Sequence, residues 1–122
     1  MIDKEFQNKC VLVTGGTQGI GRSICIELAK KGADVVFTYR KDDKNLKSIK
    51  ILSKKNNYNL YGYKISTLKD KSIKKLLQKI KKKHKVVNFL INNIGDAIMR
   101  TQFKESKDSL WIKSLEINLM SA

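Results

Sequence analysis

Three glycines with the spacing G-x-x-x-G-x-G, at Gly15, Gly19 and Gly21, follow the apolar run 11–13 near the start of the chain. Glycine lets a backbone reverse with a positive φ and lets a bulky group approach the main chain closely. The free N–H groups at the start of a helix, together with the helix dipole, attract an anion. The pattern therefore predicts a phosphate-binding turn, and the expected ligand is the pyrophosphate of a dinucleotide.

The pattern of apolar residues around this turn predicts alternating strands and helices. We expect strands at residues 9–14, 33–39, 60–65 and 86–91, and helices at residues 19–31, 45–55, 69–83 and 108–120. Gly32 follows the first helix at a position where a left-handed residue commonly ends a helix. Strands alternating with helices indicate an α/β fold with a parallel sheet.

The stretch from Thr14 to Gly21 resembles the cofactor motif Thr-Gly-x-x-x-Gly-x-Gly of the short-chain dehydrogenase/reductase family. Asn92-Asn93-Ile94-Gly95 is similar to the Asn-Asn-Ala-Gly motif of that family, with Ile94 in place of alanine. Asn118 matches a third motif, whose asparagine helps to hold a water in a proton relay. The resemblance implies a Rossmann-type doubly wound parallel sheet and points toward the 3-oxoacyl-carrier-protein reductase type.

The resemblance also implies which residues form the site. Asn118 would be catalytic, and no metal is expected. The cofactor-binding residues would be Thr14, Gly15, Thr17, Gln18, Gly19, Ile20, Gly21, Tyr39, Arg40, Ser66, Asn92, Ile94 and Gly95.

Arg40 favours NADP over NAD as the cofactor. In dinucleotide folds an acidic residue after the second strand binds the ribose 2′-OH of NAD, whereas an arginine there accommodates a 2′-phosphate. Tyr39 occupies that position and Arg40 follows it. The chain departs from the family at two further places: Gln18 stands where NADP-preferring relatives often have a basic residue, and Ser66 stands where the family has an adenine-contacting aspartate.

The catalytic Tyr-x-x-x-Lys motif of the family is absent from the sequence. The residues four positions after its tyrosines are Asp43, Gly62, Ile65 and Thr67. We therefore interpret residues 1–122 as the N-terminal part of a single NAD(P)-binding domain, truncated after the fourth strand and within the following helix. Such a chain is expected to be inactive alone and to expose the edge of its fourth strand, together with an apolar stripe formed by Trp111, Leu115 and Leu119.

The amino-acid composition says little about the function of the chain. The net charge is +15, mostly from lysine, and no apolar run approaches the roughly 20 residues of a membrane span. We expect a cytoplasmic oxidoreductase that acts on a small-molecule carbonyl or alcohol, without a membrane or nucleic-acid partner, and whose intact parent forms a homo-oligomer. The alternatives are a stand-alone nucleotide-binding module or pseudoenzyme, and a basic nucleic-acid-binding protein.

Three further side chains have chemistry worth testing. Cys10 and Cys25 are interpreted as small buried hydrophobic residues, because their spacing suits neither a disulfide nor a metal site. His84, the single histidine, lies near a predicted helix C-terminus, where a cation is favourable.

Overall fold

The computed structural model describes residues 4–65, 70–94 and 107–116. Strands and helices alternate along the chain, as the sequence predicts. The elements are β1 (Cys10–Val13), α1 (Gly19–Lys30), β2 (Asp34–Tyr39), α2 (Lys44–Asn56), β3 (Leu60–Lys64), α3 (Asp70–His84), β4 (Phe89–Ile91) and α4 (Asp108–Leu115).

The four strands form one parallel sheet in the order β3-β2-β1-β4. Residues of β1 pair on both sides; Val11, for example, is in register with Val35 of β2 and with Phe89 of β4. Along the chain, β2 and β3 are added outward on one side of β1, and β4 is then added on the other side of β1. Open α/β sheets bind ligands at such a reversal, outside the carboxyl ends of the strands. The sheet confirms the predicted Rossmann-type class.

Helices cover both faces of the sheet because β1 and β2 alternate their buried side chains between two cores. One core joins the sheet to α1 and α2 and consists of Val11, Val13, Cys25, Ala29, Ala33, Val35, Phe37, Leu46 and Ile49. The other lies against α3 and consists of Cys10, Leu12, Val36 and Ile80. Each large aliphatic or aromatic side chain that is fully buried contributes about 1.5–3 kcal/mol.

The ends of α1 and α2 are set by individual residues, and Gly32 takes the left-handed conformation expected from the sequence. Gly32 (φ +88°) and Asn57 (φ +56°) take left-handed conformations just after α1 and α2. Asp43 caps α2, since its Oδ1 accepts hydrogen bonds from the backbone N–H groups of Asn45 at 3.0 Å and Leu46 at 3.2 Å. The cap fixes where α2 begins, close to the glycine turn.

The fourth strand begins at Phe89 and not at residue 86 as predicted. Lys85 has a positive φ of 66°, and the backbone N–H of Val86 donates to the His84 carbonyl at 2.7 Å, so the chain is still turning there. Asn88 then accepts from the Cys10 N–H through its side-chain Oδ1 at 2.8 Å. A side chain thus takes the place of a backbone partner at the start of β1.

Apolar side chains are exposed on β4 and α4. Phe89 and Leu90 are 48% and 58% exposed, and within the described strands β4 is paired on one side only. Trp111 and Leu115 are each 50% exposed, which agrees with the expected uncovered stripe; Leu119 lies outside the described residues. Across the described ranges, none of the helices has the length and apolarity to cross a bilayer.

Both cysteines are buried, as predicted. Burial raises the pKa of Cys25 to about 12, and burial followed by the Asp34 charge raises the pKa of Cys10. The thiolate is the reactive form of cysteine. These thiols therefore remain protonated and act as packing groups.

The structure corrects the expectation that the position of His84 near a helix end favours its charged form. It is the last residue of α3, but its ring packs edge-on against Tyr61 with centroids 4.9 Å apart. Within the described part of the chain its buried Nε2 has no hydrogen-bond partner. Burial lowers the pKa of His84, and the Lys83 charge adds to that shift while Asp34 opposes it. The packing against Tyr61 of β3 therefore favours neutral imidazole over the cation that the helix end alone would favour.

Candidate functional site

The glycine turn leaves β1 and is held to β2 by one buried threonine. Gly15 has φ +71°, and its N–H donates to the Thr38 hydroxyl at 3.1 Å. The Gly16 N–H donates to the Thr38 carbonyl at 3.0 Å. A Cβ at Gly16 would lie 2.4 Å from the Cβ of Phe37, so the turn can press against β2 only because Gly16 lacks a side chain.

Thr14 joins the same turn to β4. Its hydroxyl donates to the Ile91 carbonyl at 3.4 Å and accepts from the N–H groups of Asn93 at 2.9 Å and Ile94 at 3.2 Å. A hydroxyl has one proton to donate and two lone pairs. These three bonds use that capacity fully, so Thr14 shapes the site by holding the ends of β1 and β4 together.

Gly21 lets α1 approach the turn. A Cβ there would lie 2.1 Å from the Gly15 carbonyl oxygen and 2.4 Å from Nδ2 of Asn93, which itself donates to that oxygen at 3.0 Å. No real side chain fits at such distances. At Gly21 the helix α1 therefore comes close to the backbone of the glycine turn.

Gly19 faces open space at the tip of the turn. It has φ +56°, and a Cβ there would meet no atom of the described residues within 4 Å. Gln18, the residue before α1, makes no side-chain capping bond, and the first turn of α1 contains no acidic residue. The first N–H groups of a helix have no partner within the helix. They remain available here for an anion, beside the 74%-exposed Ile20 and the half-buried Thr17.

The end of β2 presents a phenol and a guanidinium. Tyr39 is half-buried, and burial followed by the Asp42 charge raises its pKa, so the phenol stays protonated. Arg40 is exposed, and among the residues that the structure describes it takes part in no hydrogen bond or ion pair. Asp42 instead forms an exposed ion pair with Lys64 at 3.7 Å. Arg40 is therefore available to an external anion.

Two side-chain hydrogen bonds connect the start of α1 to the start of α2. Asn45 Nδ2 donates to Oε1 of Gln18 at 3.3 Å, and Arg22 Nη1 donates to the Ser48 hydroxyl at 3.1 Å. The residues in each pair are separated by 27 and 26 positions, respectively. The first turn of α2 thus forms one rim of the region beside the glycine turn.

The structure brings most of the sequence-predicted site residues to the carboxyl ends of β1, β2 and β4. Asn92 and Ile94 follow β4, Asn92 exposed and Ile94 half-buried. Ser66, Gly95 and Asn118 lie outside the described residues.

Sequence reasoning did not select Gly16, Thr38 and the side chain of Asn93 as functional, although they fix the turn. One signal was available, since Thr38 is a polar residue inside an apolar strand and is only 3% exposed. Buried hydroxyls need hydrogen-bond partners. Such a position indicates a specific contact even when its partner is unknown.

A cavity of about 330 Å³ lies elsewhere, between α2 and β3. Its lining consists of Phe37, Ile49, Lys50, Ser53, Lys54, Asn57, Tyr58, Leu60 and Gly62. None of these residues belongs to the glycine turn or carries a sequence-predicted role, so the cavity is separate from the candidate site.

A family model described as short chain dehydrogenase matches residues 9–122. The 3-oxoacyl-[acyl-carrier-protein] reductase FabG of Haemophilus influenzae is 34% identical over 120 residues, which are 95% of this chain and 46% of that protein. A (+)-neomenthol dehydrogenase of Capsicum annuum is 34% identical over 98 residues, 78% of this chain and 31% of the relative. The chain spans about half of these curated relatives, or less.

Solved structures share the fold. A citronellol catabolism dehydrogenase (AtuB) of Pseudomonas aeruginosa PAO1 superposes with a TM-score of 0.86 at 24% identity, over 99% of this chain and 48% of that one. A short chain dehydrogenase of Burkholderia cenocepacia J2315, solved in complex with NADP, gives a TM-score of 0.81 at 22% identity, over 96% of this chain and 47% of that one. At these identities the likeness concerns the fold.

Proposed function

Because the chain belongs to the short-chain dehydrogenase family, we propose that it supplies the cofactor-binding part of an NADP-dependent oxidoreductase. The proposed reaction is hydride transfer to or from the carbon of a small-molecule carbonyl or alcohol. The observation that carries the proposal is the open glycine turn, where Gly19 faces free space at the start of α1. Helix starts of this kind bind phosphate groups.

The residues at the turn fit a dinucleotide in shape and charge. The pyrophosphate would lie against Gly19 and the first N–H groups of α1, where no side chain of the described ranges comes within 4 Å of the Gly19 Cβ position. When bound, the nicotinamide ring supplies or accepts the hydride. Thr14, Gly15 and Gly21 would shape the pocket, while Thr17, Gln18, Ile20, Asn92, Ile94 and Gly95 would border the cofactor.

Arg40 supports NADP over NAD. A planar guanidinium suits a phosphate because it donates parallel hydrogen bonds and carries a fixed positive charge. Arg40 is exposed, and its neighbour Tyr39 is an uncharged phenol that does not repel an anion. The NADP complex of a structural neighbour agrees with this preference. Ser66 would take the place of the adenine-contacting residue.

We place the proton-transfer step outside these 122 residues, because no tyrosine in the sequence is followed four residues later by a lysine. General acid catalysis needs a positioned group that gives its proton to the forming alkoxide. Asn118 would hold a water in that relay. We treat residues 1–122 as the N-terminal part of one NAD(P)-binding domain, whose intact parent would be a homo-oligomer.

The test is to titrate the 122-residue chain with NADPH and with NADH, and then to follow NADPH absorbance in the presence of several ketones. We expect NADPH to bind more tightly than NADH, and we expect no turnover. Failure to bind either dinucleotide, or equal affinity for both, would contradict the cofactor assignment. Turnover above the buffer rate that Asn118→Ala abolishes would show that these residues suffice for catalysis.

A further inference from the structure

The cavity between α2 and β3 exists because β3 has a glycine at its centre. Gly62 is in register with Phe37 of β2, and a Cβ at Gly62 would lie 2.8 Å from Cζ of the Phe37 ring. The phenylalanine ring therefore takes the space that a side chain of β3 would otherwise occupy. Beside that ring lies the cavity of about 330 Å³, a volume within the roughly 300–1,000 Å³ of small-molecule sites.

The inner wall of the cavity is apolar and belongs to the protein core. Phe37 and Ile49 line it and are only 1% and 0% exposed, since both are members of the core that joins the sheet to α1 and α2. The half-buried Leu60 and Tyr58 extend this wall, and Tyr58 adds a second ring. Such a wall suits a flat apolar group, because aromatic rings pack well against other rings and aliphatic side chains.

The opening of the cavity is positively charged. Lys50 and Lys54 line it, are exposed and lie one helical turn apart on the same side of α2. Among the described residues neither lysine takes part in an ion pair, and the described lining of the cavity includes no acidic side chain. Two ammonium groups beside one apolar wall favour a ligand that carries a negative charge.

The carboxyl end of α2 lies at the same opening but opposes this charge only weakly. Unpaired carbonyl groups at the end of a helix carry partial negative charge and repel an anion. Here the Ser53 carbonyl accepts from the Tyr58 N–H at 2.9 Å, and the Lys54 carbonyl accepts from the Asn57 N–H at 3.4 Å. Because these carbonyls are paired, the two lysine ammonium groups dominate the charge at the opening.

We propose that this cavity binds a small aromatic carboxylate. The ring of the ligand would lie against Phe37 and Ile49, and its carboxylate would lie between Lys50 and Lys54. The proposal does not depend on the proposed cofactor function, because the cavity lining includes no residue of the glycine turn.

The test is to titrate the ¹⁵N-labelled 122-residue chain with indole-3-acetate and to follow its amide signals by NMR. We expect saturable shifts at the amides of Ser53, Asn57 and Gly62, and none at Gly19. Indole-3-acetamide has the same ring without the charge and should bind about threefold to tenfold more weakly, the scale of two exposed charge contacts. Acetate has the charge without the ring and should give no saturable shift.

Replacing the two lysines tests the charged part of the site. Lys50→Gln combined with Lys54→Gln should raise the Kd for indole-3-acetate about threefold to tenfold and leave the Kd for indole-3-acetamide unchanged. Lys47→Gln combined with Lys55→Gln is the matched control, because these exposed lysines lie on the same helix but outside the cavity lining. The control removes the same net charge and should change neither Kd.

Four results would overturn the proposal. Absence of saturable shifts would show that the cavity does not bind this class of ligand. Shifts confined to Gly19 and its neighbours would place the probe at the glycine turn. Equal affinity for the acid and the amide, or equal losses in the two double variants, would show that Lys50 and Lys54 do not select an anion. A chain that binds no dinucleotide would contradict the proposed function alone and leave this site unaffected.

Discussion

The side-chain amide of Asn93 donates a hydrogen bond to the carbonyl oxygen of Gly15 at 3.0 Å, across 78 residues of sequence. The same Nδ2 would lie 2.4 Å from a Cβ at Gly21. One side chain after β4 therefore meets both the glycine turn and the first turn of α1. The Asn93 side chain therefore sets the spacing between the end of β4, the glycine turn and the start of α1.

Replacing Asn93 should loosen that junction. Asn93→Ala leaves a partly buried carbonyl without its donor, and we expect the free energy of unfolding to fall by about 1–3 kcal/mol. Urea denaturation measures the change. Asn92→Ala is the control for stability, because Asn92 is exposed and should shift the urea midpoint little. Equal midpoints for the two variants would show that the hydrogen bond contributes nothing net.

Gly21 and Gly19 should respond differently to alanine. Gly21→Ala forces a methyl group into the Gly15 carbonyl, and overpacking of this kind costs about 1–3 kcal/mol. Gly19→Ala meets no atom of the described residues, and its left-handed φ costs about 1–2 kcal/mol. Its methyl group nevertheless occupies the space proposed for the pyrophosphate, so NADPH binding should be lost.

Gly32→Ala is the matched control for backbone strain, because Gly32 has φ +88° at the opposite end of α1. It should lower the melting temperature much as Gly19→Ala does, while leaving the Kd for NADPH unchanged. If Gly19→Ala binds NADPH as tightly as Gly32→Ala, the pyrophosphate does not lie at the turn.

Arg40 should distinguish the two cofactors. Arg40→Ala should weaken NADPH binding by about 1.5–3 kcal/mol, the scale of a hydrogen bond to a charged group, and should hardly change NADH binding. Isothermal titration with both cofactors gives the comparison. Lys41→Ala, a change at an exposed neighbouring cation, should preserve the preference. A similar loss in both variants would mean that general surface charge, rather than Arg40, attracts the phosphate.

His84 should make stability depend on pH. Burial lowers its folded-state pKa below the ordinary value, so the unfolded chain binds a proton more readily than the folded chain. The contribution of neutral, buried His84 to the free energy of unfolding is complete above the unfolded-state pKa of about 6.5. It is lost as pH falls through the lower folded-state pKa. Urea midpoints measured across this window should decline toward acid.

His84→Phe supplies the comparison for that pH series. Phenylalanine keeps a ring against Tyr61 but cannot be protonated, so the acid side of the curve should flatten. Both proteins keep the neighbouring side chains Tyr61, Lys83 and Asp34, so these groups affect the two pH curves alike. Parallel curves for the two proteins would show that a group other than His84 causes the loss of stability at low pH.

The elements of the fold were predictable because their signals are local. Apolar runs mark β1 and β2, while Gly32 and Asn57 end helices through conformations that their own residue types favour. The glycine spacing likewise indicated a turn that a bulky group can approach. Each of these inferences uses residues that lie close to one another in the sequence.

The contacts that fix the site were not predictable because they depend on sheet register. Thr38 reaches the glycine turn only once β2 lies beside β1, and Asn93 reaches Gly15 only once β4 lies on the other side. His84 was misjudged for the same reason. The helix end favours a cation locally, but the packing of its ring on Tyr61 determines the outcome.

Because β1 is hydrogen-bonded to a neighbour along both of its edges, its amides should exchange with solvent only when the whole sheet opens. The glycine turn continues directly from this strand. A dinucleotide bound at the turn would therefore stabilise the entire sheet, by an amount that grows with its free concentration. The supply of cofactor would then help to set how long the folded chain survives a protease.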